Sequence, residues 1–480
     1  MELDHLYEQA LAAYSERLKA AVARMREVRT PEDFTAAERE LHALTRELAA
    51  DMTERVLSDA CADKERRRLA LASAREVAAA RGIEMRTEKA REVPIRTLSG
   101  QVIRVRSPSA SAIPRGGKRR ARGSSGTGVH YVLDELGIRD RSTPALRLLV
   151  SHAVCEANSV TAAREVLAKS GVEVPHKTAL RLTYVVADAA LRARAKAIKR
   201  GKVGPKTPLA GKHVVASIDG GRLNTRRRTG GAWTKGGRRN FETNWREPKV
   251  LSIYVVDEQG KRDKKLRTVL DATLGDADAA FELLTHHLVR LGAKDAKKLT
   301  FVADGAPWIW ARTDALREEL ALSHDQFTEV LDYFHAVERL GEIADRTLTG
   351  DDDAKRAWLG ILKGYLKAGD VEAIERALHS DREEPGVATD LAFLDTHRER
   401  LRYQEYRSAG HPIGSGAVES AVRRVVNLRM KGPSVFWTEE HAEGILHLRA
   451  HAKSRRWDEL EARVHTETRW RPTSRVVRAA

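Results

Sequence analysis

His213-Val214-Val215-Ala216-Ser217-Ile218 is a nearly unbroken apolar run that ends in Asp219-Gly220. Its length and β-branched content fit a strand buried on both faces. The pattern recurs where Leu299-Thr300-Phe301-Val302-Ala303 runs into Asp304-Gly305. Asp-Gly is a common turn pair, so each copy taken singly can merely end its strand. Two copies after similar strands say more. If the strands are neighbours in one sheet, their ends set two carboxylates side by side, and such a pair repels unless a cation sits between them. Further on, Gly414-Ser415-Gly416 opens a helical segment that carries Glu419. Carboxylates at two strand ends and on a late helix can build a site for hard divalent cations.

The chain has 480 residues, a length that suggests about two to four domains. Its hydrophobic fraction of 42% is ordinary for a globular protein. No apolar run has transmembrane length, and the N-terminus shows no signal-peptide pattern. The 2 cysteines, Cys61 and Cys155, stand far apart, which argues against a disulfide framework or a structural zinc site and fits a reducing compartment. A formal net charge of +17 points to a polyanionic partner, against the plainer reading of a solubility surface.

Residues 1–92 read as helices, with Leu3, Leu6, Tyr7, Ala10, Leu11, Tyr14, Leu18 and Val22 at the 3.6-residue period and a helix start at Thr30-Pro31. Residues 93–142 read as a basic hairpin and linker. Two alternating runs flank Ser99-Gly100, and Arg115, Lys118, Arg119, Arg120 and Arg122 follow among glycines. Residues 143–200 read as a helix-turn-helix-like region, with helices at 161–169 and 176–190 joined through Ser170-Gly171. Lys177 and Arg181 share a face of the second helix, as a helix reading the DNA major groove requires. Residues 206–345 mix strands at 213–218, 250–256, 267–270, 299–303 and 328–331 with helices at 277–291 and 313–320, which predicts a mixed sheet covered by helices. Residues 346–408 return to helix, residues 409–455 carry the Gly-Ser-Gly segment and further helices, and 456–480 is a basic tail.

Glu419 lies in the first turn of its helix and four residues before Arg423, so a local ion pair is the plain reading. Val418, Val422 and Val425 form an apolar stripe there, while Glu419, Arg423 and Asn427 form a polar one that faces either a cleft or water. The loop after the first strand is basic, with Arg226, Arg227, Arg228, Lys235, Arg238 and Arg239 among glycines. It is either a solvated face or a surface for DNA backbone contact.

These residues resemble the DDE transposases of bacterial insertion sequences, in particular the ISKra group. The resemblance rests on Ser217-Ile218-Asp219-Gly220-Gly221-Arg222, Trp245-Arg246-Glu247-Pro248-Lys249 and Val302-Ala303-Asp304-Gly305-Ala306-Pro307-Trp308-Ile309-Trp310. Leu331-Asp332-Tyr333-Phe334-His335-Ala336, Pro412-Ile413-Gly414-Ser415-Gly416-Ala417-Val418-Glu419-Ser420 and Asn427-Leu428-Arg429-Met430-Lys431-Gly432 continue it. It covers roughly residues 130–455. The resemblance implies an α/β ribonuclease H-like catalytic domain with a helical insertion, preceded by helical N-terminal and helix-turn-helix DNA-binding regions. Asp219, Asp304 and Glu419 would be the catalytic and metal-binding triad, holding Mg²⁺ or Mn²⁺. Asp332 and His335 would match an element near the active site, with a core or helix-capping role as the alternative. Lys177, Arg181, the six basic loop residues and Arg423 would contact DNA. Relatives with a cysteine-rich segment carry zinc-ligand cysteines that this chain lacks.

The implied activity is cleavage and joining of double-stranded insertion-sequence ends by two-metal phosphoryl transfer, in a bacterial cytoplasm and on the nucleoid. Synapsis of two ends implies a homo-oligomer, and no membrane is involved. Two rivals stand beside this reading: a metal-dependent nuclease or resolvase, and a non-catalytic helix-turn-helix DNA-binding protein.

Overall fold

A computed structural model of the chain describes residues 2–113, 128–201, 208–233, 239–348, 352–381, 383–384, 386–433 and 435–467. They belong to two units, one of residues up to Ala189 together with those from Glu461, the other Ala190–Leu460. Among the described residues no helix is long and apolar enough to cross a membrane.

The first unit opens with helices α1 (Glu2–Arg26), α2 (Pro31–Ala62) and α3 (Lys64–Ala79). Thr30 caps α2, its side chain accepting from Asp33 N, with Pro31 at the first helical position. The helical reading of residues 1–92 fails at its end, because Met85–Arg96 is strand β1. Gly82 breaks the helix at φ 67. Backbone pairing with β2 (Val102–Ala112) then overrides the helix-favouring charges of 86–92, setting Val93 opposite Val105 and Ile95 opposite Ile103. The turn between them stands at Ser99-Gly100, as the hairpin signal predicts, with Gly100 at φ 84. A short β3 (Gly128–Val129) joins the sheet and α4 (Tyr131–Glu135) follows. Leu57, Ala78, Ile95, Val105 and Leu133 sit in one core, so the N-terminal helices and the hairpin pack together instead of forming separate segments. The basic stretch from Arg115 to Arg122 lies outside the described residues. Both cysteines are buried and neither forms a disulfide.

Helices α5 (Pro144–Glu156), α6 (Val160–Lys169) and α7 (His176–Arg200) follow, with Val150, Val154, Leu167 and Leu182 in a small core of their own. Gly171 ends α6 at φ 77, a left-handed backbone that favours glycine. α7 runs past the predicted end at 190 because strong helix formers continue to Arg200.

The second unit is built on a five-stranded sheet. Its strands are β4 (His213–Gly220), β7 (Lys249–Val256), β8 (Val269–Thr273), β9 (Lys298–Ala303) and β10 (Phe327–Leu331); between the first two lie β5 (Leu223–Trp233) and β6 (Arg239–Arg246). The order is β10-β9-β4-β7-β8, with β4, β9 and β10 parallel and β4, β7 and β8 antiparallel. Each predicted strand is present to within three residues at either end, since runs apolar on both faces leave little freedom. Val214, Val215, Leu299, Phe301 and Val302 are fully buried. Helices α8 (Ala277–Leu291), α9 (Pro307–Trp310) and α10 (Thr313–Glu319) alternate with the strands. The basic loop after β4 is instead an antiparallel ribbon of β5 and β6. Its glycines masked a pairing that register alone establishes.

After β10 come five helices: α11 (Tyr333–Thr347), α12 (Asp352–Ala368), α13 (Val371–Ala377), α14 (Val387–Thr396) and α15 (Tyr403–Ser408). Then follow α16 (Gly416–Val422), a π turn at Arg423–Asn427, α17 (Leu428–Met430) and α18 (Glu439–Lys453). The π turn has a visible cause. Arg449 on α18 is 1% exposed and donates through Nε to Val425 O at 2.7 Å and through a second nitrogen to Arg424 O. Its guanidinium thus satisfies carbonyls that the wider turn releases.

Burial holds several imidazoles neutral. His213, His287, His397 and His411 are each pushed down from 6.5 to about 4, in every case mainly by burial. A histidine depressed in the fold contributes stability that is complete above the unfolded value of 6.5 and is lost as pH falls from there toward 4, at about 1.4 kcal/mol per pH unit and group. The melting temperature is therefore expected to hold above pH 7 and to fall steeply between 6.5 and 4. Thermal melts followed by circular dichroism across that range check this, and a flat profile would contradict it.

Candidate active site

The pairing of β4 with β9 sets His213 beside Lys298 and Ala216 beside Phe301. The same register, continued for three residues, brings Asp219 level with Asp304. β10 pairs with β9 so that Leu331 lies beside Ala303, and Asp332 N donates to Ala303 O at 2.8 Å. Three aspartates thus end three adjacent parallel strands. Asp219 and Asp304 line one cleft of about 550 Å³ with Gly220, Gly221, Arg222, Trp245, Arg246, Glu247, Val422, Asn427 and Lys431.

Turn chemistry fixes the strand ends. Asp304 accepts from Ala306 N at 3.0 Å through Oδ1, and Trp310 Nε1 donates to Asp304 O at 2.8 Å. Gly305 is required by space, because a Cβ would lie 2.2 Å from the Phe393 ring. Trp310 is buried in the core.

Asp332 is fully buried and caps α11, accepting from Phe334 N at 2.6 Å. Its other oxygen accepts from Ser415 N at 2.9 Å and from the Ser415 hydroxyl. Ser415 Oγ also contacts Glu419 Oε1 at 2.8 Å. One serine therefore ties the end of β10 to the helix that carries Glu419. No ion pair from Glu419 to Arg423 forms among the described residues. His335 Nδ1 lies 3.5 Å from Asp332 Oδ2, an ion pair at the outer edge of hydrogen bonding. Ligating atoms of Asp332, His335 and Glu419 all fall within 4.8 Å of one another. The helix-capping alternative for Asp332 is thus real, and its carboxylate borders the Glu419 group as well.

The electrostatics bind the two halves together. Burial first, then the like charge of Asp304, pushes Asp219 from 3.8 up to about 6; Glu419 adds to the rise, while the Gly220 N–H and His335 oppose it. Burial would raise Asp332 too, but His335, the Ser415 hydroxyl and two backbone N–H groups hold it below the usual carboxylate range. Contact with Asp332 pushes His335 up to about 9 against burial, with Asp304 and Glu338 assisting. Asp219, Asp304, Glu419, Asp332 and His335 are therefore one electrostatic group.

The basic candidates fare unevenly. Arg226 and Arg227 are exposed on the ribbon, Arg226 over the Phe241 ring at 5.7 Å and Arg227 3.6 Å from Glu242. Arg228 and Arg239 take ribbon positions opposite Phe241 and Trp233, but their side chains lie outside the described set, as do Lys235 and Arg238 altogether. Arg423 is exposed on the π turn. Lys177 is exposed at the start of α7, whereas Arg181 pairs with Asp140 at 3.3 Å. Sequence reasoning assigned no role to Ser415, Arg222, Trp245, Glu247 or Lys431. Only Ser415 carried a local signal, standing at a helix start four residues before Glu419. No family model matches this chain, and neither a curated protein nor a solved structure does.

Proposed function

We propose that this protein is a DNA transposase of the DDE type, cutting and joining DNA ends at the cleft of Asp219 and Asp304, with Glu419 beside it in the same electrostatic group. The observation that carries the reading is the alignment of strand-end carboxylates on β4, β9 and β10, with Glu419 drawn to them through Ser415. The strand order and directions support the ribonuclease H-like reading. The five helices between β10 and α16 support the reading of an insertion.

The donor set suits Mg²⁺ or Mn²⁺. It is dominated by hard oxygens, and Asp219 is pushed toward protonation by burial and then by Asp304, as in a carboxylate group short of positive charge. Asp219, Asp304 and Glu419 would hold the cation, with Asp332 and His335 at its border; when bound, it supplies charge for developing oxyanions and an acidified water or hydroxyl. The chain's own groups do the rest. Ser415 orients Glu419 and Asp332 together. Gly220 and Gly221 keep the cleft floor free of side chains. Arg222 and Lys431 line the cleft where phosphates would lie, and the exposed ribbon arginines extend that surface. No serine or tyrosine nucleophile is required, because a water or a DNA hydroxyl attacks phosphorus directly.

The test uses the full chain with Mg²⁺ and a labelled duplex carrying the DNA that flanks its gene. Cleavage at the element boundary followed by joining to a second duplex is the expected result. Cleavage without joining would replace the reading with a nuclease, and binding without cleavage would replace it with a regulator.

A further inference from the structure

Trp245 is 56% exposed, although most tryptophans of a folded chain are well covered. It stands on β6 and lines the cleft that holds Asp219 and Asp304. The ribbon register places Asn224 opposite Trp245 and Arg226 opposite Thr243. Side chains two apart on a strand share a face, so Trp245, Arg226 and Phe241 lie on one side of the ribbon. Arg226 sits over the Phe241 ring, and Phe241 is itself 43% exposed. The ribbon is anchored: Arg226 N donates to Trp437 O at 2.8 Å, and Trp437 N to Asn224 O at 3.1 Å. An aromatic held rigidly at a cleft mouth, with cations beside it, matches the surfaces on which unpaired bases stack. A base paired inside a duplex offers no free face, since its neighbours cover both.

We propose that Trp245, on the Arg226–Phe241 face of the ribbon, is a stacking platform for one unpaired nucleobase next to the phosphate in the carboxylate cleft. This rests on the reading of the chain as a DNA-processing enzyme and adds the state of its substrate: DNA locally unpaired at the reacting end. Trp245 is thus a positioning residue for the strand end, separate from the carboxylates.

Binding is measured with Ca²⁺ in place of Mg²⁺, using two duplexes that differ only in one unpaired terminal 2-aminopurine. The parent protein is expected to prefer the unpaired end and to quench its fluorescence. Trp245→Ala should lose roughly 5- to 150-fold of affinity for the unpaired end, the range of one base–aromatic stack, and lose the quenching. It should leave the fully paired duplex unaffected. Trp245→Phe should retain most of both signals. Equal loss on both duplexes, or no preference in the parent, overturns the platform while leaving the DNA reading intact. Failure of the parent to bind either duplex overturns both.

Discussion

An Asp219→Asn protein is expected to show no Mg²⁺-dependent strand cleavage or joining, yet to melt without cation at the parent's temperature or above it. The two halves of that result have one cause. Burial and Asp304 push Asp219 from 3.8 up to about 6, so the fold favours its protonated form. Its contribution to stability is complete below 3.8 and is lost as pH rises through 6. Above that, the ionised carboxylate is a net cost of about 1.4 kcal/mol for each pH unit by which its titration is displaced, reduced by whatever solvent reaches the group. Asparagine keeps the shape and removes the charge, so the cost vanishes with the activity. Cation binding should also raise the parent's melting temperature by mass action and raise that of the variant much less. Gel assays of cleavage and melts with and without Mg²⁺ check both halves. A variant that still joins ends, or that unfolds well below the parent, would remove Asp219 from the site.

Asp271→Ala is expected to lower stability by about 3–5 kcal/mol, the cost of breaking a buried ion-pair cluster by removing one of its members. Asp271 is fully buried on β8. It accepts from His287 Nε2 at 2.9 Å, His447 Nδ1 at 2.8 Å, Ala272 N at 2.8 Å and Arg194 Nη1 at 3.2 Å. Burial alone would raise this carboxyl; His447, Arg194 and His287 overcome it and hold it well below the usual range. The cluster joins α7, α8 and α18 to the sheet through one charge, and Glu443 completes the pairing of Arg194. Removing the carboxylate strands two imidazole N–H groups and leaves Arg194 with Glu443 and the Ala272 carbonyl alone. For a unit of this size the melting temperature should fall by about 6–20 °C. Asp271→Asn, which keeps one acceptor oxygen but not the charge, should lie between. Urea midpoints of the three proteins measure the series, and a loss below about 1 kcal/mol for alanine would show the cluster to be dispensable.

How much of this was legible in the chain depended on whether local pattern and final environment agreed. The strands of the five-stranded sheet were readable because both their faces are covered, so hydrophobicity alone marks them. Asp219 and Asp304 were readable as a pair because similar strands precede them, although only the β4–β9 register makes them neighbours. β1 was not readable, because Arg86-Thr87-Glu88-Lys89-Ala90-Arg91-Glu92 has the composition of a helix and becomes a strand only against β2. The ribbon was hidden by its glycines and arginines, which read as a loop until β5 and β6 are seen to pair. Ser415 illustrates the last limit. Its position at a helix start was plain, but its contact with Asp332 is a tertiary fact that no window of sequence contains. Glu419 was readable as a carboxylate on a late helix, the resemblance to DDE transposases implied its place in a triad, and its spatial grouping with Asp332 and His335 came only from the fold.

The Ser415–Asp332 contact joins residues 83 apart in the chain, with five helices between them. Closing so long a loop costs about 4 kcal/mol by the logarithmic rule, a sum repaid only when the contacts at its ends form. During synthesis β4, β9 and β10 leave the ribosome first and can pair with one another. The segment bearing Ser415 and Glu419 emerges later and docks onto a sheet already built. The cleft is therefore among the last parts of the chain to assemble, and a chain cut short before residue 415 would carry the strand-end aspartates with nothing to complete them.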